Sequence, residues 1–283
     1  MKRILVPLNP RSDYQNILDY AESVALRSGA EISVLYSAGS GAVRESKNSF
    51  SHTQPVSDFI EGIRQAKARQ HLKEVCRRLL EKNVSFEIKV LNSYGSTAIV
   101  KEINQGEFDL VLMGSHRRPG LFSFMSRPVA IQLISSVKAP VFVVPSRNRF
   151  NEIQHITYAV DLSDYDPQII QQVKSLAGLF DAKLTIAHVN SELEGDAKEQ
   201  YLSSLEKTIT DTLDYPKIYY RFFDHADPLG GIKKLVNLNE SSVVAMTSRK
   251  KLTARLFSSD RSLTRQMTKE LSVPILAFRK PVS

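Results

Sequence analysis

The chain has 283 residues, 42% hydrophobic and 24% charged, with one cysteine and a formal charge of +8. That length suits one large domain or two small ones, and a single cysteine excludes an internal disulfide framework. No apolar run approaches the roughly 20 residues that span a bilayer, so no membrane-spanning helix is expected.

The opening MKRILVPLNP has too short an apolar part for a signal peptide and reads as a strand, RILVPL, which predicts a cytoplasmic protein. SDYQNILDYAESVALRSG follows as a helix, with Ser12 or Asp13 as N-cap and Gly29 as its stop. EISVLYS is the next strand, and the polar, Ser-rich stretch 39–58 is a long loop. From Phe59 to Leu80 a helix is predicted, with Phe59, Ile60, Ile63, Leu72, Val75, Cys76, Leu79 and Leu80 on one stripe. SFEIKVL (strand), STAIVKEINQ (helix), DLVLMG (strand), VAIQLISSV (helix) and VFVVP (strand) complete a β-α-β-α-β-α-β-α-β unit. The remainder repeats the order: ITYAVD, helix, KLTIAHV, helix, KIYYRFF, a helix from Asp227, SVVAMT, loop, helix and PILAF. Asp227 is the expected N-cap of its helix, with Pro228 at the first helical position.

The second half restates the first in sequence as well. EFDLVLMGS parallels ESSVVAMTS, VKAPVFVVP parallels LSVPILAFR, and RSDYQNIL parallels LSDYDPQII. Gly114 and Thr247 are 133 residues apart, and Pro140 and Pro274 are 134 apart. PSRNRFNE (145–152) is the natural linker, giving domains 1–147 and 148–283. Continuous apolar strands separated by helices imply parallel sheets buried on both faces. Ligands of such sheets sit beyond the carboxyl ends of the strands, so the loops after the first and fourth strand of each unit are where a site belongs.

ILVPLNPRSD and ITYAVDLSD at the unit starts, DLVLMGSH, and the closing strands APVFVVP and VPILAF together resemble the universal stress protein family in its tandem two-domain form. The resemblance covers nearly the whole chain. It implies an α/β fold of two tandem five-stranded parallel-sheet domains (adenine-nucleotide alpha-hydrolase-like, Rossmann-type), related by pseudo-two-fold symmetry. It also implies pairing of the domains through their last strands, and further association of chains as a homodimer. Many members of that family bind ATP, with Mg²⁺ following the phosphates. Their pattern is an Asp ending the first strand, then Gly-x-x-Gly, nine residues, and Gly-Ser or Gly-Thr after the fourth. Glycines let backbone N–H groups reach phosphate, and the helix N-terminus completes the cradle.

Carried onto this chain, the pattern is altered in both halves. In the first, Asn9 stands at the Asp position, Gly114 keeps the first glycine, Arg117 stands at the second, and Arg127 and Pro128 at Gly-Ser. In the second, Asp161 keeps the carboxylate, Thr247 replaces the first glycine, Lys250 lies near the second, and Arg261 and Ser262 fall on Gly-Ser. That second match is one residue too long to be gap-free.

Three readings of these loops stand open. ATP is bound with changed chemistry, since arginine is a good phosphate partner. Another anion, or a lipid headgroup, meets His116, Arg117, Arg118 and Arg127, or Arg249, Lys250, Lys251, Arg255 and Arg261. Or the loops are solvated, with Leu121, Phe122 and Phe124 against the neighbouring domain. His188, ending the second strand of the second unit, is a candidate base-edge contact or a strand-end histidine satisfied by the backbone. No metal-ligand spacing, nucleophile–base pair or G-x-S-x-G elbow is present, so a non-enzymatic binding protein with an unknown protein partner is expected. Lysines and arginines are scattered without an aromatic–basic signature, so nucleic acid is not an expected partner.

Overall fold

The computed structural model describes residues 1–8, 14–37, 66, 69–70, 72–74, 76–91, 96–115, 129–146, 148–160, 166–189, 199–200, 203, 206–207, 209–210, 213–223, 225, 227–238, 240–248 and 263–280. In the first half the strands are β1 (Arg3–Leu8), β2 (Glu31–Ser37), β3 (Phe86–Leu91), β4 (Leu110–Ser115) and β5 (Val141–Pro145). Its labelled helices are α1 (Tyr14–Ser28), α2 (Ser96–Gln105) and α3 (Val129–Ser136). The second half has β6 (His155–Ala159), β7 (Lys183–Val189), β8 (Ile218–Phe223), β9 (Val243–Ser248) and β10 (Ile275–Arg279). Its helices are α4 (Pro167–Leu179), α5 (Pro228–Leu238) and α6 (Leu263–Glu270). Helical residues also occur within 66–81 and 199–210.

All ten strands form one sheet in the order β3-β2-β1-β4-β5-β10-β9-β6-β7-β8. Every pairing is parallel except β5 with β10, which run antiparallel with Phe142 opposite Leu276. The expected pairing of the two halves through their last strands is therefore what joins them. The apolar β5 (VFVVP) is buried along its whole length, with β4 on one side and β10 on the other. Chain order reverses at β1/β4 and at β6/β9, the switch points where α/β sheets open a crevice.

Alternation along each strand sends side chains to two cores. The first holds Ile4, Val6, Leu112, Phe142, Tyr158 and Leu184 under α1, α4 and the helical residues Leu72, Cys76 and Leu79. The second holds Leu5, Val111, Val143, Val244 and Ile275 under α2, α3, α5 and α6. Here α3 packs on β10 and α6 on β5, so each half's last helix covers the other half's last strand.

On the first face the connection between halves is tied down by polar contacts. Tyr20 of α1 donates its hydroxyl to Asn148 Oδ1 at 2.8 Å and accepts from the Asn151 backbone N–H at 3.4 Å. Its ring packs on Phe142 and Phe150. Asn16 Nδ2 donates to the Asn148 carbonyl at 2.6 Å, and Asn148 Nδ2 donates to the Ser272 carbonyl at 3.1 Å. Arg27 reaches Glu152 at 2.6 Å and lies over the Phe180 ring, linking α1 to the second half.

One expectation fails within the described residues of the predicted 59–80 helix. Leu72, Cys76 and Leu79 are buried, but Leu80 is 61% exposed. At about 100° per residue, Leu80 turns past the edge of the stripe that Leu72 and Leu79 share. Phe59, Ile60, Ile63 and Val75 lie outside the described residues, as do Ser12 and Asp13. Cys76 is a buried apolar side chain whose thiol is pushed up to about 11 by burial, which leaves it protonated and unreactive.

Candidate functional site

The carboxyl ends of the strands are where the two halves can be compared. β1 ends at Leu8 and β4 at Ser115 in the first half, while β6 ends at Ala159 and β9 at Ser248 in the second. Of the candidate residues, Gly114, His188 and Thr247 are described. Asn9, His116, Arg117, Arg127, Asp161, Lys250, Arg261 and Ser262 lie outside the described residues, as do Arg118, Leu121, Phe122, Phe124, Arg249, Lys251 and Arg255.

Gly114 is buried in β4, in register with Val144 of β5. Its counterpart Thr247 sits in β9, in register with Phe278 of β10. The hydroxyl of Thr247 shares a 3.0 Å hydrogen bond with the phenol of Tyr158, from β6 two strands from β10. Tyr158 is fully buried, and a buried phenol needs a polar partner. The aligned position in β1 is Val6, buried and apolar. Thus the first half carries a Val–Gly pair where the second carries a hydrogen-bonded Tyr–Thr pair. Tyr158 was not singled out from the sequence. The signal was available: ILVPLN and ITYAVD differ at the same face of the same strand whose neighbour changes from glycine to threonine.

His188 near the end of β7 is buried, and its Nδ1 lies 2.9 Å from the Val160 carbonyl. Because a carbonyl only accepts, Nδ1 carries the proton, and in the neutral ring Nε2 is left as an acceptor. The ring tilts against Phe222 at 5.5 Å. Together Val160, Ile186, His188, Glu206, Tyr220, Arg221 and Phe222 line a cleft of about 130 Å³. Its lining mixes apolar and aromatic side chains with Glu206, Arg221 and one histidine held by the backbone. Gly114 lies in the first half, and Thr247 and His188 lie in the second, on β9 and β7 with β6 between them.

Farther along the second half, Asp227 caps α5 as expected, accepting from the Gly230 N–H at 2.8 Å and the Leu229 N–H at 3.2 Å. Among the described residues no group of three His, Cys, Asp or Glu side chains is placed to hold a metal ion, and no helix is long and apolar enough to cross a membrane.

A sequence model of the universal stress protein family matches residues 1–145. Solved structures extend the likeness to the whole chain. A universal stress protein from Archaeoglobus fulgidus DSM 4304 superposes with a TM-score of 0.69 at 16% identity, covering 98% of this chain and 96% of that one. A candidate universal stress protein from Pseudomonas aeruginosa UCBPP-PA14 gives 0.66 at 15% identity, with 99% and 93% covered. The cytoplasmic domain of a prokaryotic cation chloride cotransporter gives 0.55 at 11% identity, with 98% and 94% covered. At these identities the likeness is one of fold. None of the curated proteins matches the chain in sequence.

Proposed function

The chain belongs to the universal stress protein family, and from that premise we propose that it is a cytoplasmic stress-response protein that works by binding rather than catalysis. Its halves, 1–147 and 148–283, pair within the chain, and its nucleotide loops no longer form a phosphate cradle. Its partners are an unidentified protein and a second copy of itself. The observation that carries this reading is the Tyr158–Thr247 hydrogen bond. Where the family pattern has the first glycine, the second half has a half-buried threonine whose hydroxyl is bonded to Tyr158. The changes at Arg117, Arg127 and Pro128 in the first half act in the same sense, because bulk or a missing N–H stands where backbone must meet anion.

Isothermal calorimetry with ATP, ADP and AMP, each with and without Mg²⁺, tests this. The expected result is no binding in the micromolar range. Micromolar ATP binding that disappears in Asp161→Ala would instead establish the second half as a nucleotide site. The cleft beside His188 favours that second reading, since an adenine ring is a flat group that could accept from or donate to its margin.

A further inference from the structure

The outer strands of the sheet are β3 and β8, and β3 pairs only with β2 among the described residues. Its backbone phase is fixed by one bond: Ile32 N–H donates to the Ser85 carbonyl, with Ile32 in register with Phe86. In a parallel ladder alternate residues turn both backbone groups the same way. Glu87 and Lys89 therefore point theirs at β2, while Phe86, Ile88 and Val90 present N–H and C=O outward. The side chains alternate too. Phe86, Ile88 and Val90 pack on the first core, and Glu87 and Lys89 lie on the opposite face, each about half exposed.

Ile88 is thus a centre of symmetry in FEIKVL, with a negative charge on one side and a positive charge on the other. We propose that two copies of the chain pair antiparallel through β3, Ile88 facing Ile88 of the second copy. Phe86 then faces Val90, and the outward backbone groups of all three residues meet in hydrogen-bonded pairs. Glu87 faces Lys89 twice, in the non-hydrogen-bonded positions where Cα atoms come within about 4.5 Å.

Competing registers are worse. Centring on Glu87 or Lys89 sets like charges against each other, and centring on Phe86 or Val90 leaves both charges without a counterpart. Among the described residues Glu87 uses only Oε1, for Ser33 at 2.7 Å and Arg3 at 3.3 Å, which leaves Oε2 for the second copy's lysine. Lys89 contacts Glu102 but has further donors. An isologous contact of this kind closes at two chains, whereas β3 against β8 would leave edges open and propagate. The inference fills in the second-copy partner of the binding reading above. It is tested by mass rather than by nucleotide titration, so the two fail separately.

Sedimentation of the full chain is expected to give a concentration-dependent dimer of the 31.8 kDa protein. Glu87→Lys alone and Lys89→Glu alone each set like charges opposite one another and weaken association roughly ten- to hundredfold. An equimolar mixture of the two variants restores both charge pairs and forms a one-to-one dimer. The double variant E87K/K89E dimerises like the wild type. A monomeric wild type, a dimer indifferent to Glu87→Lys, or a mixture of folded variants that stays monomeric overturns the proposal. Should either variant fail to fold, amide hydrogen exchange on the wild type decides. The Ile88 and Val90 amides slow as concentration rises if the edge pairs, and unchanged rates overturn it.

Discussion

Two halves built on one pattern differ most at the ends of their first and fourth strands. In the first, Val6 and Gly114 leave the carboxyl end of β4 without a side chain on that face. In the second, Tyr158 and Thr247 fill the matching place and satisfy each other. The lesson is that the two changes belong together. Tyr158 is fully buried and shares a hydrogen bond with Thr247, whose half-buried side chain lies at the carboxyl end of β9. The threonine that stands at the place of Gly114 thus comes with a tyrosine at the place of Val6, and reversing one of them alone would not restore the first half's arrangement.

That coupling is open to a double-mutant cycle in urea unfolding. Tyr158→Val truncates a fully buried side chain and should cost roughly 2–4 kcal/mol. Thr247→Gly should cost about 1–2 kcal/mol, from the lost hydrogen bond to Tyr158 and from a glycine placed in a strand. The double variant is expected to cost less than the two together by about 1 kcal/mol, because each single variant already loses the bond the two side chains share. Strict additivity would show that the pair is not a unit and would break the comparison.

The seam between the halves comes next in size. Tyr20→Phe keeps the ring on Phe142 and Phe150 but removes the hydrogen bonds to Asn148 and Asn151, at an expected cost of about 1–2 kcal/mol. Burial raises the Tyr20 phenol above the ordinary tyrosine range; the Asn151 N–H lowers it less, and Asp19 raises it further. A raised pKa means this contribution is fully present below the ordinary tyrosine pKa and is lost as pH rises through the folded value. Tyr20→Phe should therefore flatten the alkaline limb of the stability profile as well as lower it.

Asp109 gives the opposite sign at the other end of the pH scale. Burial alone would raise its pKa, but the N–H groups of Lys2 and Arg3 and the positive charges of the N-terminus and Lys2 outweigh that and hold it below the ordinary range. Its contribution is present above the unfolded carboxylate pKa and is lost as pH falls through the folded one. Asp109→Asn should shrink the acid-limb slope of thermal stability while leaving the alkaline limb alone.

How much of this was legible in advance depended on whether a feature is local. Strands such as EISVLYS and KLTIAHV, the helix STAIVKEINQ and the Asp227 cap are set by residues adjacent in sequence, and the structure places them where periodicity and cap chemistry put them. The β5–β10 pairing followed from the family resemblance, not from any pattern in VFVVP or ILAFR. The Tyr20–Asn148–Ser272 network joins residues over a hundred positions apart, so no spacing announces it. Leu80 shows the limit of periodicity itself, because a residue at the margin of a stripe is assigned by its neighbours in space. Of the candidate site, the exchange of Gly114 for Thr247 was readable, and the Val6-to-Tyr158 exchange was visible in the same alignment, while the bond between the two side chains required the register of β6 and β9.

The smallest expected effect contrasts how the halves end their first helix. Both halves turn through the left-handed region there, at Gly29 (φ 69°) and at Asp181 (φ 53°). Glycine adopts that conformation freely, whereas a residue with a Cβ is strained by about 1 kcal/mol or more. A Cβ at Gly29 would meet no heavy atom within 4 Å, so Gly29→Ala isolates the backbone term and should cost about 1 kcal/mol. Asp181 is not simply a poorer choice. Its carboxylate holds Lys217 Nζ at 2.5 Å, and its carbonyl accepts from the same ammonium at 3.0 Å. An exposed ion pair is worth at most about 1 kcal/mol. Asp181→Gly should therefore gain only a few tenths of a kcal/mol in urea unfolding, and that gain should grow with added salt, because screening weakens the bond to Lys217 but leaves the backbone strain untouched. A loss of stability at high salt would mean that the aspartate is better suited to the turn than its φ implies.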